Sequence, residues 1–141
     1  MSARSRSGSA REHGFVAIEW VAAVALLLLP VVVLVATLPE WAERRHAATV
    51  AAREAARELV RDWPRADTEH AAGVARDIAA DHGLAAGDVV VQVLSVGIAR
   101  GDMARVAVRV KMPAISVAGM AAGEWHYTAV EVRRIDDYRS R

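Results

Sequence analysis

Between Phe15 and Leu38, only Glu19 and Thr37 are neither apolar nor proline. As an α-helix at about 1.5 Å per residue this run is about 36 Å long, more than the roughly 30 Å hydrocarbon core of a bilayer. It is long enough to span a membrane, and it divides the chain into a leader (1–14), a transmembrane helix (15–38) and a following domain (39–141). A cleaved secretory signal is the competing reading, since Arg4, Arg6 and Arg11 precede the run as a basic n-region would. Signal h-regions are shorter, about 7 to 15 residues, and end in a small-x-small site. The end of this run, Leu34-Val35-Ala36-Thr37-Leu38-Pro39, offers none, so the expectation is an uncleaved, single-pass anchor.

Charge does not orient the anchor. Arg44, Arg45 and Arg53 follow the span closely enough to balance the leader's three arginines. The net charge of +1 leaves no large basic field, so no nucleic-acid partner is expected. With no cysteine the chain has neither a disulfide framework nor a thiolate metal site.

Residues 1–13 are polar, rich in Ser and Arg and without hydrophobic period, which predicts a leader with no structure of its own. Pro30 removes one helical hydrogen bond inside the span and predicts a kink there. Pro39, followed by Glu40, Trp41 and Glu43, suits either a bend or the first turn of a new helix. Trp20 and Trp41 fall where interfacial aromatics belong.

Beyond the span, Ala, Arg and Glu dominate and predict a helix over about 40–62, ended by Trp63-Pro64. Trp41, Ala48, Ala52, Ala55 and Leu59 form its apolar stripe, with Glu54/Arg57 and Glu58/Arg61 as i,i+3 pairs on the wet side. A second helix is expected over about 68–82, with Asp67 or Thr68 as N-cap and Gly83 just past its end. Its apolar face holds Ala71, Val74, Ala75, Ile78 and Ala79. The period then changes to two, predicting strands at about 88–95, 104–112 and 125–133. In the middle strand Val106, Val108, Val110 and Met112 alternate with Arg105, Ala107, Arg109 and Lys111, which gives one buried and one wet face. The last puts Thr128, Val130 and Val132 on one side and Tyr127, Ala129 and Glu131 on the other, with neither side marked as the inner one. The expected fold class is α+β, an N-terminal transmembrane helix followed by helices and a three-stranded antiparallel sheet.

The connection from Pro113 to Gly123 carries Ile115, Val117 and Met120, which is unusual for a solvent loop. Two readings stay open: a loop folded over the sheet, or an exposed apolar contact surface.

Catalytic chemistry has little to stand on. There is no phosphate-cradling glycine loop, no Gly-x-Ser-x-Gly elbow and no His-Glu-x-x-His. Glu43-x-x-His46 has the spacing of di-iron carboxylate helices, but it occurs once where such sites need two copies and further acids. No catalytic residue, metal or cofactor is expected. Glu19 stands apart as the one ionisable residue in the span. A carboxylate at the centre of a bilayer costs at least ~2.5 kcal/mol, so it calls for a partner unless it sits in the headgroup zone.

The stretch Gly14-Phe15-Val16-Ala17-Ile18-Glu19-Trp20 resembles a prepilin peptidase site. Gly14 matches the last leader residue, Phe15 the new N-terminus and Glu19 the acid at the fifth mature position; Trp20 stands where Flp-type pilins commonly have Tyr. The remainder looks like the TadE-like minor pilins or pseudopilins of tight-adherence (Flp) pilus systems, in the form typical of actinobacteria. The Ala-Ala-Arg-Glu-Ala-Ala-Arg helix at 51–57, the strand Arg105 to Pro113 and the end Ile135-Asp136-Asp137-Tyr138-Arg139 carry that likeness. The chain departs from this branch in its more distant helix proline and in lacking a cysteine pair.

The resemblance implies cleavage after Gly14 on the cytoplasmic side, hence a leader in the cytoplasm and an extracytoplasmic domain. It implies prepilin peptidase and other Tad/Flp pilus subunits or assembly-platform proteins as partners, an interaction protein and not an enzyme, with Glu19 acting in assembly. The alternative is an unprocessed signal-anchored envelope protein, either a sensor or a small tethered enzyme, with a chance Gly14/Glu19 spacing.

Overall fold

A computed structural model of the chain describes residues 9–117 and 120–136. The elements run α1 (Ser9–Arg61), α2 (Thr68–Asp81), a 3-10 turn (Ala86–Asp88), β1 (Val89–Ser95), β2 (Met103–Met112), β3 (Ile115–Val117), β4 (Met120–Ala122) and β5 (Trp125–Arg134). The architecture is α+β. Strands β1, β2 and β5 form an antiparallel sheet in that order, and α2 and the C-terminal half of α1 cover one face of it.

Helix α1 corrects two sequence expectations. It begins at Ser9, so the last part of the leader is helical. It also runs for 53 residues with both Pro30 and Pro39 inside it, so no new helix begins near residue 40. Each proline lacks an N–H, which leaves the carbonyls of Leu26 and Val35 without their usual donor. Continuity holds because both flanks favour the helix independently. In apolar surroundings only a helix pairs its own backbone, and residues 40–61 are strong helix formers packed into a core. Within the span, the Thr37 hydroxyl donates to the Leu34 carbonyl at 2.8 Å, so it needs no outside partner.

The core is built on small residues. Ala47, Ala48, Ala51, Ala52, Ala55, Ala56 and Leu59 of α1 are all buried, a broader stripe than the sequence indicated. Opposite them, α2 buries Ala71, Ala72, Ala75 and Ala79, with Ile78 at the margin. Alanine contributes little area per residue but lets backbones approach closely, so α1 touches α2 and the sheet together. The expected surface pairs form, Arg57–Glu54 at 3.6 Å and Arg61–Glu58 at 3.5 Å.

Helix α2 is closed at both ends. Asp67 Oδ1 accepts from the N–H groups of Glu69 and His70 at 2.9 and 3.1 Å. At the other end Gly83, with φ 77°, takes the left-handed turn; its N–H reaches the Ala80 carbonyl and that of Leu84 reaches Ala79. In mid-helix, Gly73 costs about 1 kcal/mol relative to alanine. Outside its own turn of helix, none of the described residues approaches within 4 Å of where its Cβ would stand.

The observed strands match the expected ones to within a residue at each end. Val106, Val108, Val110 and Met112 of β2 are buried against the helices, and β1 turns Val89, Val91 and Val93 the same way. The register Val91↔Val108↔Ala129 shows that β5 presents its Tyr127/Ala129 side inward and its Thr128/Val130/Val132 side outward. Ala129 faces the alanine stripe of α1, and Ile135, continuing that parity, is buried below it. The β1–β2 turn is held by Asp102 Oδ2, which accepts from Ile98 and Ala99 N–H at 3.0 and 2.9 Å, and by Trp63 Nε1 donating to the Gly97 carbonyl at 3.2 Å. Any side chain at Gly97 would run into the Asp102 Cβ.

The connection after β2 is a further correction: it is a β-hairpin, not a loop. Ile115 lies opposite Ala122, Ser116 opposite Ala121 and Val117 opposite Met120. The β-branched residues of Ile-Ser-Val suit a strand, and the pairing satisfies backbone groups that a loop would leave to water.

Because the core depends on close approach at alanine, Ala55→Leu overpacks it. The expected cost is about 1–3 kcal/mol, checked by chemical denaturation of the full chain in detergent. A variant as stable as the parent would show that the α1 stripe is loosely packed.

Candidate functional site

The residues singled out by sequence lie along α1. Gly14, Phe15 and Glu19 fall on one unbroken helix, and Phe15 and Glu19, four residues apart, share a face about 6 Å apart along the axis. The Glu19 carboxylate is exposed, with no hydrogen bond or ion pair among the described residues. Around and beyond it Ile18, Trp20, Val21, Leu26 and Leu27 are exposed as well. Trp20, Val21, Val24, Ala25 and Leu28 line a shallow, wholly apolar groove. None of the apolar window is buried by the fold, and among the described residues one helix, near the N-terminus, is long and apolar enough to cross a membrane.

Where the span enters the folded domain, Arg44 ties three elements together. Its guanidinium meets Glu40 at 3.2 Å and Asp88 at 3.3 Å, and donates to the Lys111 carbonyl at 2.8 Å. Only the Glu40/Arg44 spacing was legible in the sequence; Asp88 and Lys111 reach Arg44 through tertiary folding. Trp41 is partly buried against the core. Its indole N–H finds no acceptor among the described residues.

Glu43 and His46 are joined at the surface by His82, whose ring meets His46 edge-on at a centroid distance of 5.8 Å. Among the described residues no three His, Cys, Asp or Glu come together as a metal site would require. Nearby, the Arg45 guanidinium sits 5.0 Å from the centre of the Tyr127 ring. At the end of the domain farthest along α1, Arg57, Arg61, Arg133 and Arg134 line a shallow cleft with Asp136. Glu54, Glu58 and Glu131 pair with three of those arginines, so most of the cleft's charge is already offset.

Ile115, Val117 and Met120 belong to the β3–β4 hairpin, whose first strand passes close to α1. Its base is clasped by Lys111 Nζ and Glu124 Oε1 at 2.7 Å. The hydrogen bond from Lys111, and then its charge, hold the Glu124 carboxyl below the ordinary range. The same hydrogen bond, followed by the Glu124 charge, raises Lys111. Sequence alone could not pair two residues separated by the hairpin.

No protein-family model, curated protein or solved structure matches the chain.

The clasp sets a pH window. The Glu124 contribution is complete above the ordinary 4.5 and fades as pH falls through its lowered folded value. That of Lys111 is complete below 10.5 and fades as pH rises through its raised one. Glu124→Gln is expected to bring the Lys111 titration back down toward 10.5, read from the Nζ resonance by NMR. An unchanged titration would show that the pair does not form in solution.

Proposed function

We propose that the chain is a membrane-anchored minor pilin or pseudopilin, TadE-like in type, which loses residues 1–14 to a prepilin peptidase and takes part in assembling a Flp-type pilus. The continuity of α1 carries this reading. The Gly14-Phe15 peptide, Glu19, the apolar span and the buried alanine stripe all lie on one helix with no linker between them. How the anchors pack in a bundle is therefore transmitted directly to the domains they carry, which suits a subunit of an assembly more than a tethered, freely rotating domain.

Glu19 supports the same reading. A lone acid in the span costs at least ~2.5 kcal/mol if it reaches the bilayer centre. Cleavage after Gly14 creates an amine on Phe15. In a staggered bundle a neighbour's amine lies within reach of Glu19, and in low dielectric such a pair is far more favourable than the isolated carboxylate and sets register. The peptidase works at the cytoplasmic side, so this reading places the leader in the cytoplasm and residues 39–141 outside. The helical setting of the scissile peptide is no obstacle, since Gly14 is a weak helix position near an end that frays. The partners are prepilin peptidase and other Tad/Flp subunits or platform proteins.

N-terminal sequencing of the protein from cells expressing the peptidase is expected to begin at Phe15, and Gly14→Leu is expected to retain the leader. A mature protein beginning at Met1 or Ser2 would make it a plain signal-anchored envelope protein. Glu19→Ala is expected to be cleaved normally yet to copurify with pilus components at least ten-fold less well. Undiminished copurification would remove the role given to Glu19.

A further inference from the structure

The outward face of the sheet is not what a solvent-facing sheet should be. Antiparallel sheets exposed on one side carry polar residues there. Here Val90 is 49% exposed, Leu94 54%, Val130 55% and Val132 44%. The register sets Arg105 beside Val132 and Arg109 between Val90 and Thr128, so two arginines stand among the aliphatic residues. No strand position on this face is acidic, and neither Arg105 nor Arg109 has an ion pair among the described residues.

The opposite side of the molecule has the complementary character. Helix α2 covers the other side of the sheet, and its solvent face carries Asp77 and Asp81, both exposed and without an ion pair among the described residues. Ala80 lies between the acids and Gly73 one turn before Asp77, so the surface is low at both positions. Gly73 lowers the stability of the helix it interrupts, and none of the described residues fills the space at its Cβ. A glycine at this position leaves room for a close approach from outside. The spacing also fits: Arg105 and Arg109 are about 13 Å apart along a strand, Asp77 and Asp81 about 6 Å apart along a helix, so the longer arginines straddle the aspartates.

We infer that the sheet face of one copy docks on the α2 face of a second copy, head to tail, with Arg105 and Arg109 against Asp77 and Asp81, Val130 over Ala80, and Gly73 at the margin of the contact. The two faces lie on opposite sides of the domain, so each copy can use both at once and the contact propagates as a row or a ring. A patch three strands wide falls short of the roughly 800 Å² per partner of a stable soluble pair. It becomes effective when anchors confined to one membrane raise the local concentration. The contact does not depend on leader processing.

The chain has no cysteine, which makes a site-directed cross-link clean. Full-length Val130→Cys and Ala80→Cys variants, reconstituted together in neutral phosphatidylcholine vesicles without peptidase, are treated with a short bismaleimide. The expected product is a covalent dimer at least ten-fold more abundant in the mixed sample than in either variant alone. Adding Arg105→Glu and Arg109→Glu to the Val130→Cys chain should lower the yield at least ten-fold, and adding Asp77→Arg and Asp81→Arg to its partner should restore it. Gly73→Leu should abolish the dimer while leaving the thermal unfolding of the chain unimpaired. Cross-linking that is equal in the unmixed samples, absent in the mixed one, or indifferent to charge reversal or to Gly73→Leu overturns the proposal. Because the unprocessed chain is used, such a result leaves the cleavage reading untouched, and an uncleaved leader leaves this contact untouched.

Discussion

Everything in the structure depends on α1 meeting two different surroundings along one axis. Its apolar window is not buried by any of the described residues; its second half is apolar on one stripe and forms the centre of the core. Because the helix does not stop between them, neither half can turn without the other. The Arg44 contacts to Glu40, Asp88 and the Lys111 carbonyl lie at this transition and fix the sheet to the helix where the apolar run ends.

Alanine is what makes the second half work. Six buried alanines on α1 leave no side chain to hold the neighbours away, so α2 and the sheet both close onto the same helix. Hydrophobic stabilisation per residue is low, and larger residues of the sheet, Val106, Val108 and Val110, supply the apolar bulk that the helices lack. The register of β5 against β2 sets Ala129 beside Val108 on the buried face and leaves Val130 and Val132 outside.

The functional proposals draw on different parts of this arrangement. Processing and the pairing of Glu19 concern the exposed first half of α1, while the head-to-tail contact concerns the two outer faces of the folded domain. Helix continuity makes the two compatible, since anchors packed side by side carry their domains past one another in a fixed orientation.

The sequence by itself determined the span, the second helix with its Asp67 cap and Gly83 turn, the three strands and the buried face of β2. Each is a local pattern: length and apolarity, capping chemistry, or a period of 3.6 or 2. It also singled out Glu19 as the one ionisable residue of the apolar run, while Gly14 and Phe15 were marked by resemblance to a prepilin peptidase site. Tertiary structure decided the rest. Pro39 looked like a boundary because a proline's local cost is visible in sequence, whereas the packing of residues 40–61 that outweighs it is not. Residues 113–123 looked like a loop because each strand of the hairpin is only three residues long and is defined by the other. The orientation of β5 stayed open because both of its sides are part apolar, and only its register against the buried Val106, Val108 and Val110 of β2 chooses between them.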